Sequence, residues 1–128
     1  MPSQSSSSVR VTWLDRERVV RSVKRAVMRL AAAHPEIQRV VLFGSMARGE
    51  AVPGSDVDLL LVLSESRERF LDRAVRYWPS GISVGVDVFA YTEKELASMV
   101  QEGNWFAKRA LAEGVVIYER NDQSAAGR

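Results

Sequence analysis

The sequence predicts an α/β (α+β) two-layer sandwich: a small mixed sheet of about four strands with helices. Three observations carry this expectation. Segments with helical apolar spacing alternate with short apolar runs. One of those runs, Val57 to Leu63 (VDLLLVL), is almost wholly apolar, as in a central strand buried on both faces. The 128 residues, 46% of them hydrophobic, suit one domain with one core.

The elements follow in order. Residues 1 to 10 (MPSQSSSSVR) are Ser-rich and are expected to form a disordered tail. The domain is then expected over 11–120, with a flexible polar tail over 121–128. Thr12 with Asp15 resembles a helix cap, with Asp in place of the usual Glu. Val19, Val23, Ala26 and Leu30 recur at helical spacing. A helix is expected from about residue 13 to about residue 33, ending before Pro35. Arg39 to Phe43 is the first expected strand. Residues 45 to 49 suit a short helical turn, and 50 to 55, with Pro53 and Gly54, a loop. Val57 to Leu63 is the second strand. Residues 66 to 78 suit a helix with Phe70, Ala74 and Trp78 on one side and Leu71 and Val75 beside them. Pro79-Ser80-Gly81 reads as a turn and Ile82 to Tyr91 as a third strand. Thr92-Glu93-Lys94-Glu95 is a capping box for a helix to about residue 101. Asn104 caps a further helix, which Gly114 ends. Trp105 and Phe106 on that helix are expected to fill the core. Val115 to Glu119 is the last strand.

Composition excludes several classes. There are 18 basic and 16 acidic residues, a net charge of only +2, so a broad nucleic-acid-binding face is not indicated. Without cysteine there is no disulfide, thiolate metal site or Cys nucleophile. No apolar run approaches the ~18 residues of a membrane span, and the N-terminus lacks an apolar signal segment. A cytoplasmic protein is the expectation.

The stretch GSMARGEAVPGSDVDLL, residues 44 to 60, carries the chemistry. In a strand, residues i and i+2 share a face and sit about 6.6 Å apart, from a rise of ~3.3 Å per residue. Asp56 and Asp58 therefore project together at the mouth of an apolar strand. Two carboxylates side by side repel, and burial aggravates this. A cation removes the conflict, and an all-oxygen site favours Mg²⁺ or Mn²⁺. Gly44 ends a strand and lets backbone approach a ligand. Ser45 offers a hydroxyl and a backbone N–H at the start of a helical turn, where an anion is favoured. Arg48 adds positive charge nearby. A phosphate held there, with a metal on the aspartates, describes a nucleoside triphosphate with its Mg²⁺. Asp87, in the run GVDVFAY, lies between Val86 and Val88 and so faces away from the core beside Gly85, which is expected to leave open space. Taken singly, Gly44-Ser45 also suits an ordinary strand-to-helix turn. It is not a P-loop, because Glu50 follows Gly49 where Lys is required.

The block LFGSMARGEAVPGSDVDLLLV, with Gly44-Ser45, ten intervening residues, Asp56-x-Asp58 and a later Asp87, resembles the minimal nucleotidyltransferases of the DNA-polymerase-β-like superfamily. The resemblance covers residues 13 to 119. It implies the polymerase-β-like nucleotidyltransferase fold. It implies that Gly44 and Ser45 hold the triphosphate, and that Asp56 and Asp58 bind both metals. Asp87 would be the third ligand and would activate the acceptor hydroxyl. Met46 departs from the pattern, since many relatives carry Arg there, and Arg48 remains as the cation of this turn. Small relatives of this kind often act as antitoxins to a helical HEPN-type ribonuclease, and some transfer AMP to it. The implied activity is metal-dependent transfer of a nucleoside monophosphate, AMP from ATP, to a hydroxyl on such a partner, in a homo- or hetero-oligomer. Two other readings stay open: a non-catalytic antitoxin or binding module that masks its partner sterically, and a nucleotidyltransferase of small, aminoglycoside-like molecules.

Overall fold

The computed structural model describes the backbone of residues 2–51 and 54–121, and side chains from residue 16 within those segments. The elements run α1 (Pro2–Ala33), β1 (Ile37–Phe43), α2 (Ser45–Arg48), β2 (Val57–Leu63), α3 (Phe70–Arg76), β3 (Val86–Thr92), α4 (Glu93–Gln101), α5 (Trp105–Glu113) and β4 (Val115–Glu119). Among the described residues, four strands and five helices thus make the expected mixed α+β fold. The strand order is β3-β2-β1-β4. β2 and β3 are parallel, while β1 is antiparallel to both β2 and β4.

Alternation along the central strands explains how the sheet is covered. Val57, Leu59, Leu61 and Leu63 of β2 join Val19, Val23 and Val27 of α1 in the larger core. Leu60 and Val62 point the other way, to Leu96 of α4 and to Ala107 and Ala110 of α5. Helices therefore pack on both faces, which is why VDLLLVL has almost no polar residue.

Several boundaries differ from expectation. α1 begins at Pro2, so the helix takes in the Ser-rich segment expected to be disordered. Serine disfavours helix only weakly per residue, and the one Pro stands at the first position, where its missing N–H goes unused. β3 starts at Val86 rather than Ile82, because pairing with β2 begins at Val57↔Val86. α3 is shorter than expected. The Glu68 N–H donates to Ser66 Oγ at 3.1 Å, a local turn that competes with helix before Phe70.

The buried face of α3 is the expected one only in part: Ala74 packs against the larger core and Phe70 stacks on Tyr91 at 4.8 Å, but their expected neighbours turn outward. Leu71 and Val75 are 80% and 79% exposed, whereas Arg73 is only 5% exposed. Arg73 donates to the carbonyls of Glu68 and Ala90 and to both carboxylate oxygens of Glu95, at 2.7–3.1 Å. That set of acceptors satisfies a buried guanidinium and fixes the rotation of α3. α4 has the capping box read from the sequence: Glu95 N–H donates to Thr92 Oγ1, and Thr92 N–H to Glu95 Oε1. α5 starts as expected, with Asn104 Oδ1 accepting from Ala107 N–H at 2.9 Å. The expected loop residue Pro53 and the tail beyond Asn121 lie outside the described residues. Among the described residues, no helix is long and apolar enough to cross a membrane.

Candidate active site

One edge of the sheet gathers the residues singled out in the sequence. β1 ends at Phe43, β2 starts at Val57 and β3 starts at Val86, all at this edge. Parallel pairing sets Asp58 opposite Asp87, and antiparallel pairing sets Phe43 opposite Asp58. Partners in register point to the same face, with neighbouring strands ~4.8 Å apart. Asp58 and Asp87 are therefore side by side on the face that also carries α4 and α5. The Val57 N–H donates to the Gly85 carbonyl at 2.8 Å, which ties the start of β2 to the approach to β3.

Two glycines make room for the carboxylates. A β-carbon on residue 44 would overlap Asp58 Oδ2, and one on residue 85 would overlap Asp56 Oδ1. Gly44 also has φ +77°, a conformation that favours glycine. The space beside Gly85 is thus filled by Asp56 rather than open.

The electrostatics follow from this crowding. The Asp58 carboxyl is pushed above its ordinary range, first by burial, then by the charge of Asp87 and of Asp56 and a hydrogen bond with Asp87. Arg48 opposes the shift, so its guanidinium is near enough to be felt at Asp58. Arg48 itself pairs with Glu50 at 2.8 Å and with Glu113 at 3.5 Å. The expected short turn after Gly44 is α2. The N–H groups of Ala47 and Arg48 both donate to the Gly44 carbonyl, while those of Ser45 and Met46 lie ahead of the intrahelical ladder. Met46 is 3% exposed and belongs to the core, so its side chain anchors the turn.

Sequence reasoning missed two contributors. Arg16 of α1 donates twice to the Met46 carbonyl, at 2.7 and 3.2 Å, and so pins α2 from below. Nothing in local spacing points to this contact across thirty residues. Trp105, expected in the core, is 70% exposed. Its neighbour Phe106 makes the core contacts instead, against Phe43 and Phe89 with ring centroids 5.4 and 5.1 Å apart.

A cation fits the donor set, which is all oxygen and leaves like charges uncompensated. Among the described residues, however, no three His, Cys, Asp or Glu side chains already surround one ion position.

Known proteins give the arrangement its context. The family model of the nucleotidyltransferase domain matches residues 20–117. A Methanocaldococcus jannaschii protein, provisionally named a protein adenylyltransferase, is 32% identical over 83 residues, 64% of this chain and 79% of that protein. A crystal structure of a provisionally named nucleotidyltransferase from Sulfolobus solfataricus has a TM-score of 0.60 at 24% identity, covering 82% of this chain and 84% of that one. A crystal structure of a toxin–antitoxin with AMP-PNP contains a chain with a TM-score of 0.51 at 16% identity, over 80% of this chain and 78% of that one. The two structural likenesses concern the fold alone. The family match runs from α1 into β4 and takes in the Gly44-Ser45 turn and all three aspartates, and on that extent the chain belongs to the nucleotidyltransferase domain family.

Proposed function

We propose that this nucleotidyltransferase moves AMP from ATP to a hydroxyl on a partner protein, and that the partner is a helical HEPN-type toxin which the chain neutralises. The observation that carries the reading is the register Asp58↔Asp87, with Asp56 one step away and Gly44 against Asp58. The name of the Methanocaldococcus jannaschii relative supports protein adenylylation, and the toxin–antitoxin of like fold supports the class of partner.

Asp56, Asp58 and Asp87 would hold Mg²⁺ or Mn²⁺. When bound, the cation neutralises charge on the phosphates and lowers the pKa of the acceptor hydroxyl. The backbone N–H groups at Ser45 and Met46, the Ser45 hydroxyl and Arg48 bind the triphosphate. Gly44 lets the chain approach it. The acceptor oxygen attacks the α-phosphorus in line. The bond from that phosphorus to the bridging oxygen breaks, and pyrophosphate leaves. Asp87 orients the acceptor and takes its proton, which passes to solvent. Asp87 and Gly44 flank Asp58 from opposite strands, so acceptor and leaving group approach from opposite sides.

The test is label transfer from α-labelled ATP to a helical HEPN-type toxin mixed with this chain, with and without Asp56→Ala plus Asp58→Ala. Wild type is expected to label the partner and the double variant to leave it unlabelled. A double variant that still neutralises, with no label moving in either case, assigns the chain to steric masking. Labelling of an aminoglycoside by the chain alone would assign it to small-molecule transfer.

A further inference from the structure

On the β1 side of Asp58, opposite the β3 side that carries Asp87, lies a cavity of about 310 Å³. Gly44 and Arg48 form one wall, and α5 forms the other with Trp105, Phe106, Arg109 and Glu113. Its lining is mostly carbon. The Arg109 guanidinium stacks over the Trp105 ring at 5.0 Å. Arg109 is also paired with Glu113 at 3.2 Å, and Glu113 with Arg48 at 3.5 Å. The indole thus stands on the rim, held in place by a cation, while most of its surface remains in water.

We propose that this cavity receives the base of the nucleoside triphosphate, with Trp105 as its stacking platform. The inference rests on the proposed triphosphate site at Gly44 and Ser45. Gly44 belongs to both places: it lines the cavity and lies against Asp58. A ligand with its phosphates at Gly44 therefore has an aromatic wall within reach. The phosphates themselves suit the cavity poorly, because its walls are largely aromatic and the arginine on its far wall, Arg109, is already paired with Glu113. The volume sits at the low end for small-ligand sites, which fits a base and not a folded segment. A rigid ring with one polar edge, backed by a guanidinium, is the usual platform for a base of any sequence.

The experiment uses the full chain in a Trp13→Phe, Trp78→Phe background, so that Trp105 is the one indole. Mg·ATP and Mg·tripolyphosphate are titrated in parallel, with indole fluorescence and calorimetry as readouts. ATP is expected to quench Trp105 and tripolyphosphate is not. Trp105→Ala is expected to weaken ATP about tenfold, the size of one lost base–aromatic stack, and to leave tripolyphosphate unchanged. Trp105→Tyr is expected to restore most of the ATP affinity. Circular dichroism checks that each variant is folded, as expected for so exposed a side chain. If tripolyphosphate binds wild type but Trp105→Ala leaves ATP unaltered, or weakens both ligands equally, the base site is wrong while the phosphate site stands. If neither ligand binds wild type, the proposed function fails and this inference with it.

Discussion

Asp58 Oδ2 occupies the space that a β-carbon on residue 44 would need. The aspartate and the glycine are fourteen residues apart in the sequence, yet they are packed as one unit, because β1 and β2 bring Phe43 opposite Asp58. Gly44→Ala is therefore expected to act twice. The positive φ adds strain of roughly 1 kcal/mol, and the new methyl drives the Asp58 carboxylate out of place. AMP transfer should fall about a hundredfold, as for a misplaced reacting group. Gly85→Ala meets Asp56 Oδ1 in the same way, but no positive φ is involved. It should lose activity with a smaller loss of stability, and melting curves set beside turnover rates separate the two.

The crowding at Asp58 predicts a gain in stability on removing charge. Its folded-state pKa is raised, so the folded chain binds a proton more tightly than the unfolded chain. The stabilising contribution of that proton is complete below the unfolded value of 3.8 and is lost as pH rises through the raised folded value. At neutral pH, without divalent cation, ionised Asp58 thus opposes folding. Asp58→Asn should melt higher than wild type in EDTA and yet transfer no AMP. Added Mg²⁺ should raise the melting temperature of wild type and leave Asp58→Asn nearly unmoved. Equal responses of the two proteins to Mg²⁺ would remove Asp58 from the cation site.

The sequence made the local parts of the site legible. Asp56 and Asp58 follow from alternation along one strand, and Gly44-Ser45 from turn chemistry, so neither needs knowledge of the sheet. Asp87 could be placed on the face opposite Val86 and Val88 by alternation along its strand. Its arrival beside Asp58, however, depends on the parallel register of β2 and β3, which no local pattern encodes. The rest was hidden for the same kind of reason. Apolar spacing on α3 gives no sign of Arg73, and only acceptors on β3 and α4 make its burial favourable. Trp105 and Phe106 are adjacent in an apolar-looking pair, but a helix can turn only one of them towards Phe43 and Phe89.

The exposure of Leu71 and Val75 beside a buried Arg73 is open to direct measurement. Leu71→Ala and Val75→Ala should each change stability by under about 0.5 kcal/mol, as surface substitutions do. Arg73→Ala should cost about 3 kcal/mol, since it leaves several buried acceptors without a donor. Urea denaturation of the three variants checks this, and the opposite order would mean that α3 is rotated onto its apolar stripe. The exposed leucine and valine, with half-exposed Trp78 beyond them, are instead free for contact with another surface.

The Arg73–Glu95 pair sets the acid limb of stability outside the active site. The Arg73 hydrogen bond is the chief cause holding the Glu95 carboxyl below its ordinary value, helped by Thr92 and offset by partial burial. The folded chain therefore binds a proton at Glu95 less readily than the unfolded chain does. The stability this provides is present above the unfolded value of 4.5 and is lost as pH falls through the lowered folded value. Glu95→Gln keeps the shape and much of the cap but removes the charge. It should destabilise the protein at pH 7 by about 1 kcal/mol, less than a buried charged hydrogen bond because the Glu95 side chain is 45% exposed and water screens the pair. As pH falls below 4.5 the deficit should shrink, because wild type then loses the same charge. Denaturant midpoints of both proteins across this range measure the difference. A constant gap between them at every pH would mean that Glu95 stabilises α4 through its cap alone and that the ion pair with Arg73 contributes nothing.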